Sequence, residues 1–236
     1  MMDTHPHLRW IRPVRQARSQ ETLERLLDSA EALIADKGFD DTTVAEIATR
    51  AGCSVGAVYS RFRDKQGVLH SLQDRFVDEA NLTTDDAFDA QRWQGASIEE
   101  IIGELTVFLV EIHRERRGVL RELSSRTKSD PSMIERKERL VAHVGEHLES
   151  LLMARAERIR HPDPIEAIRF ALRLVLSTLE QTLLFDETGA YGVPSSDERL
   201  AKELARACLA YFDLTDPSQA TDAPSRNAEQ NETRRK

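Results

Sequence analysis

Cysteine, glycine, proline and aromatic residues are all scarce in this chain, and long apolar runs are missing. The two cysteines, Cys53 and Cys208, lie far apart and in no metal-ligand spacing. That excludes a disulfide framework and a cysteine zinc site, and reads as two reduced thiols in a core. Ten glycines and eight prolines in 236 residues, with little β-branched alternation, point to an all-α class. No stretch of about 18 apolar residues occurs, so no membrane span is expected. The N-terminal residues are polar and arginine-bearing with no apolar stretch behind them, unlike a secretory signal, and a cytoplasmic location is expected. A Gly-rich phosphate loop and a nucleophile elbow are both lacking. No histidine has a glutamate three residues before it, as a di-iron bundle would require. Catalytic residues, cofactors and metal ligands are therefore not expected.

Basic charge is also in deficit. The net charge is −8, which argues at first against a nucleic-acid partner. Its distribution weakens the objection. Residues 1–65 hold ten Lys/Arg and ten Asp/Glu, and the acidic excess falls wholly in the remainder. Arg9, Arg12, Arg15 and Arg18 face only Asp3 in the first 18 residues. Local footprint, rather than total charge, decides affinity for DNA. Residues 1–18 read as a basic arm, which is either a solvated tail or a segment reaching phosphates or the minor groove.

What is present in quantity is helical periodicity. In Thr42–Phe62 two short apolar stripes follow one another: Val44, Ile47, Ala48, Ala51, then Val55, Val58, Tyr59, Phe62. Thr43 and Glu46 have capping-box spacing, Gly52 supplies the freedom to turn, and Ser54 can cap the second helix. Two short helices joined by a tight turn are a helix-turn-helix, whose second helix enters the major groove. A helix from Ser19 ending at Gly38 precedes it, and one capped by Asp64 follows, with Val68, Leu69, Leu72 and Phe76 inward. Residues 19–79 thus form a compact unit.

Residues 82–96 read as a fraying helix end and a loop. Ser97 and Glu100 cap a helix through Ile112 that Gly118 interrupts. Asp130-Pro131 starts a long helix to about Arg160, and Pro164 starts another from Ile165 to Phe185 with apolar residues around more than half its circumference. Ser195 and Glu198 cap a last helix, and residues 215–236 read as a disordered tail. Residues 80–214 form the larger helical domain.

The run KGFDDTTVAEIATRAGCSVGAVYSRFRDKQGVL resembles the DNA-binding domain of TetR-family transcriptional regulators. The resemblance rests on Thr43, Ile47-Ala48, Ala51-Gly52-Cys53-Ser54, Tyr59, Phe62, Lys65 and Val68-Leu69. It implies a repressor that leaves a palindromic operator when a small molecule binds the larger domain. It also implies a homodimer through helices 165–185 and 196–213.

The DNA-contacting set expected on these grounds is Arg18, Thr43, Ser54, Gly56, Ala57, Tyr59, Ser60, Arg61 and Lys65. Val55, Val58 and Phe62 should face the core, leaving Gly56, Ala57, Ser60 and Arg61 outward to read bases. The resemblance puts the Tyr59 hydroxyl on a phosphate. Thr43 and Lys65, at helix starts, suit phosphate. Phe76, Leu105, Phe108, Leu109, Ile112 and Phe170 are candidate lining for an apolar ligand pocket. His143 and His147 share a helix face at metal-ligand spacing, with His113 a conceivable third, but no acidic partner stands at a telling position, and a satisfied or solvated pair is the reading adopted. A helical enzyme or carrier that keeps the helix-turn-helix only as structure is the competing reading.

Overall fold

The computed structural model describes residues 17–185 and 196–214, the side chains from residue 20 onward. The arm to residue 16, the Arg18 side chain, the Ser195 cap and the tail from residue 215 were subjects of expectation and lie outside the described residues. Among the described residues every regular element is helical. They are α1 (Ala17–Asp41), α2 (Val44–Arg50), α3 (Val55–Tyr59), α4 (Lys65–Ala87), α5 (Ile98–Glu115), α6 (Arg117–Thr127), α7 (Pro131–Met153), α8 (Pro164–Leu179) and α9 (Asp197–Phe212). None is long and apolar enough to cross a membrane.

The helix starts are written in side chains. Thr43 Oγ1 accepts from the Glu46 amide, and Glu46 returns a bond to the Thr43 amide, at 3.2 and 2.9 Å. Ser97 and Glu100 repeat the arrangement. Asp64, Asp130 and Asp163 cap α4, α7 and α8, the last two with proline in the first turn. Ser196, one residue after the expected Ser195, caps α9 by accepting from the Arg199 amide. Each such cap contributes about 1 kcal/mol.

Several boundaries move. Gly38 breaks the helical path at φ 84°, as its position implied, but one more turn follows to Asp41. The α4 helix does not fray after Asn81; it continues to Ala87 because Thr84 is buried and Ala80, Thr84 and Ala87 extend its inner face. The break in the middle of the chain falls at Arg116, not Gly118. Gly118 lies inside α6, where a Cβ would come 2.6 Å from the Ala35 Cα, so it is there to let α1 and α6 touch. The α7 helix stops at Met153 and a 3-10 turn, Ala156–Arg158, follows. The α8 helix widens into a π-turn at Glu180–Phe185.

Two cores result. One is built from Leu26, Ile34, Ile47, Val58, Phe62 and Leu69, and also takes Val119 and Leu123 from α6 and Met133 from α7. The other gathers α5, α7, α8 and α9 around Ile101, Leu152, Ile168, Leu179 and Phe212. Residues 19–79 therefore lean on the second half of the chain, and α4 runs through the expected boundary at residue 79 without a break.

A buried polar group joins the halves. Arg136 on α7, 3% exposed, lies 3.1 Å from Asp74 and donates to Gln73 Oε1 at 2.8 Å, both on α4. Its other arm meets His70 Nδ1 at 2.7 Å, and His70 Nε2 faces Asp130 at 3.3 Å. An arginine cannot lose its proton, so it donates here and His70 Nδ1 accepts. His70 then carries its proton on Nε2, toward the Asp130 carboxylate.

Candidate functional site

The α2–α3 pair is held by its turn. Gly52 sits at φ 65°, a left-handed conformation that costs glycine least. Ser54 then caps α3 through the Ala57 amide at 3.1 Å. Val58 and Phe62 are fully buried and fix the roll of α3. That roll turns Gly56, Tyr59 and Ser60 outward, with Ala57 half-buried at the edge. Val55 departs from expectation. It is 41% exposed, because it stands at the helix start beyond the reach of the core. The outward surface of α3 is thus Val55, Gly56, Tyr59 and Ser60, of which Gly56 and Ser60 are small enough to allow close approach to a groove.

Two expected contacts are already engaged. The Lys65 ammonium donates to the carbonyls of Phe39, Asp40 and Thr42 at 2.8, 3.0 and 3.0 Å. An ammonium has three protons, and all three are used. Lys65 therefore braces the end of α1 against α4. Arg61 bends back and donates to the Ala57 carbonyl at 3.1 Å, half-buried rather than outward. Thr43 and Ser54 are exposed, their oxygens serving their own caps. Tyr59 is 45% exposed. Glu46 pairs with Lys37 at 2.6 Å, and the bonds from Lys37 and then Thr43 hold its carboxyl down at about 2.

Behind this unit lies a cavity of about 460 Å³ between α4, α5, α6, α7 and α8. Phe76, Leu105, Phe108, Leu109 and Ile112 line it as expected. Phe170 does not. Its ring points out of α8, 46% exposed, and lies 5.0 Å from the Tyr211 ring on α9. More of the wall comes from Ala80, Thr84 and Ala87 on α4, Leu120 and Leu123 on α6, Leu148 on α7 and Leu172 on α8. The α4 contribution beyond Phe76 was missed because residues 82–96 read as a fraying helix end and a loop. The i, i+4, i+8 series Phe76, Ala80, Thr84 is the signal that would have found it.

The cavity is apolar along its length and polar at one side. There Lys137 pairs with Glu180 at 2.8 Å, and Arg116 with Glu79 at 2.7 Å. His113 donates from Nδ1 to the Leu109 carbonyl at 2.7 Å, and burial lowers its pKa. It stands apart from His143 and His147. Cys208 also borders the cavity; burial raises its thiol pKa to about 11, which keeps it a packing group.

His143 and His147 do meet an acid, which sequence spacing concealed because it comes from another helix. Asp85, near the end of α4, lies 2.8 Å from His143 Nε2 and 3.3 Å from His147 Nε2.

Comparison with known proteins adds to this geometry. Residues 26–72 match the family model for bacterial regulatory proteins of the tetR family. Residues 97–212 match that for the tetracyclin repressor-like C-terminal domain. The chain is 28% identical over 107 residues to the HTH-type transcriptional regulator AcrR of Shigella flexneri, covering 44% of this chain and 48% of that protein. It is 30% identical over 98 residues to the HTH-type transcriptional repressor BepR of Brucella suis, covering 41% and 47%. The matched segment spans about half the length of these curated relatives. Among solved structures, SmeT, the repressor of the Stenotrophomonas maltophilia multidrug efflux pump SmeDEF, shares the fold. Its TM-score is 0.58 at 24% identity, over 84% of this chain and 93% of that one.

Proposed function

The chain belongs to the tetR family of bacterial regulatory proteins, and from that premise we propose that it is a homodimeric repressor released from a palindromic operator by a small, mainly apolar ligand. The observation that carries the reading is the continuity of α4. The helix begins at Lys65, directly behind the helix-turn-helix, and ends at Ala87 in the cavity wall. A ligand that fits the cavity in only one setting of α4 acts on the head through a single rigid element. Differential affinity for two settings is all that release requires.

Val55, Gly56, Ala57, Tyr59 and Ser60 are the proposed groove-facing set. Tyr59 reaches a phosphate, and the open face of Gly56 and Ala57 lets the helix sit deep. Thr43 and Ser54 bring the first-turn amides of α2 and α3 to the phosphates on either side. Lys65 and Arg61 shape the head from behind. The apolar length of the cavity suits a hydrophobic ligand body, and its paired charges leave room for one polar end. The dimer face is proposed on α8 and α9, where Ile165, Phe170 and Tyr211 stand exposed together with Ala207 and Ala210. Two copies joined there would read two half-sites in register.

The competing reading, a helical enzyme or carrier with an idle helix-turn-helix, has the family assignment against it. Selection of bound sequences from random DNA tests the proposal. A two-fold symmetric motif with salt-sensitive affinity is expected. Failure to enrich any sequence with dimeric protein would overturn it.

A further inference from the structure

We propose that Asp85, His143 and His147 form a binding site for a divalent metal ion of the zinc class, clipping the end of α4 to α7. Their ligand atoms all lie within 4.8 Å of one another, and the two imidazole centroids are 4.4 Å apart. The argument turns on which nitrogen of His147 carries its proton. His147 Nδ1 stands 3.0 Å from the His143 carbonyl oxygen. A carbonyl only accepts, so Nδ1 is the donor, and in the neutral ring Nε2 presents a lone pair. That lone pair faces Asp85 Oδ1 at 3.3 Å, an atom that also only accepts when ionised. Two acceptors aimed at each other call for a positive centre between them. His143 Nε2, 2.8 Å from the same oxygen, closes a triangle around that point.

The arrangement fits zinc in three respects. Imidazole and carboxylate are its common nitrogen and oxygen ligands, and three protein groups with water are the usual open set. An Nδ1–H donated to a backbone carbonyl is the outer bond that orients ligating histidines. In a tetrahedral site with bonds of about 2.1 Å, ligand atoms stand about 3.4 Å apart. The His147–Asp85 edge already has that length, and the His143 ring needs to withdraw by about half an ångström. His143, His147 and Asp85 are 31%, 34% and 55% exposed, which gives the ion a path in and leaves coordination positions for water. Thr84, Val144 and Leu148, next to the three ligands in sequence, and Phe88, three residues after Asp85, all border the cavity. An ion here stiffens that end of its wall.

The test uses the full chain without a polyhistidine tag, freed of metal by chelation. Zn²⁺ uptake is followed by calorimetry, and Co²⁺ uptake by its visible ligand-field absorption. One ion per protomer is expected, with a rise in melting temperature on Zn²⁺ addition. Asp85→Asn and His147→Gln should each weaken binding by at least about tenfold and abolish the thermal shift, while the circular dichroism of the metal-free protein is unchanged. His5→Ala combined with His7→Ala should leave affinity as it was. No saturable uptake of either ion would overturn the proposal and leave an imidazolium–carboxylate pair as the content of the cluster. Uptake that both Asp85→Asn and His147→Gln retain in full would overturn it equally.

Discussion

Lys65 reaches back 26 residues to Phe39: its ammonium donates to the Phe39 carbonyl at 2.8 Å and lies 4.4 Å from the centroid of the Phe39 ring. The same charge therefore satisfies the end of α1 and stacks on the ring that plugs the base of the head. Lys65→Met should lower stability by about 2 kcal/mol, the loss typical of hydrogen bonds to a charged group. Urea unfolding reads this directly. The slope of log affinity for DNA against log salt should stay as in the parent protein, measured where both are folded. A slope shallower by about one would mean that Lys65 does neutralise a phosphate.

The approach of α1 to α6 through Gly118 predicts a second asymmetry. Gly118→Ala puts a methyl 2.6 Å from the Ala35 Cα and 2.9 Å from its carbonyl oxygen. Backbone must shift, at a cost of about 1–3 kcal/mol. Gly103, in the interior of α5, has nothing within 4 Å of its would-be Cβ. Gly103→Ala should be neutral or stabilise by about 0.5–1 kcal/mol through helix propensity. Paired denaturation midpoints test both, and equal effects at the two positions would refute the packing argument.

On α3, Tyr59→Phe removes only an exposed hydroxyl. It should leave the melting temperature unchanged and weaken operator binding by about 1 kcal/mol, or five- to tenfold, equally for all half-sites. Ser60→Ala and Ala57→Ser should instead change which base pairs are preferred. A repeat of the random-DNA selection with each variant separates positioning from reading. Unchanged preference in both base-reading variants would remove them from that role.

Phe170 and Tyr211 touch each other on an exposed face of α8 and α9. Phe170→Glu should yield monomers in sedimentation equilibrium and abolish high-affinity binding to a two-fold site. Helical content should be retained, because the ring is not in the core. Persistence of the dimer would move the interface elsewhere.

Acid should loosen the head through Glu46. Its carboxyl titrates near 2 when folded and at the ordinary 4.5 when unfolded, owing to Lys37 first and Thr43 next. A lowered folded value means stability that is complete above 4.5 and is lost as pH falls from there through 2. Glu46→Gln should be less stable at neutral pH, and the gap to the parent protein should narrow across that window. Denaturation midpoints at several pH values measure the difference, and a constant gap would rule out the capping carboxylate as its source.

How much of this was legible beforehand varied with the range of the interactions. Caps at Thr43, Ser54, Asp64 and Ser97, and the helix start at Asp130-Pro131, are local, so a few neighbouring residues specify them. The inward roll of Val58 and Phe62 follows from spacing alone. Val55 was misplaced because periodicity says which face a residue shares, not whether the core extends to the helix end. Phe170 read as pocket lining for the same reason: α8 is apolar on two sides, and sequence does not say which side meets its own subunit. The engagement of Lys65 with residues 39–42 and the meeting of Asp85 with His143 depend on contacts 23–26 and 58 residues apart. No local pattern encodes those. Extension of α4 to Ala87 was hidden by Thr, Asp and Ala residues of weak amphipathic contrast, although the series from Phe76 was there to be followed.

The length of α4 sets a scale for what a ligand must accomplish. Its 23 residues make a rod of about 35 Å at 1.5 Å per residue. Pivoted at Ala87, the end that lies in the cavity wall, such a lever turns a tilt of about 5° into a swing of about 3 Å at the Lys65 tip. That is close to one base-pair step along the duplex, which is about 3.4 Å. In a symmetric pair the two tips move in opposite senses, so the mismatch with fixed half-sites doubles. In the proposed release, a displacement in the wall smaller than a methyl group's width would then be enough to take both heads out of step with the groove.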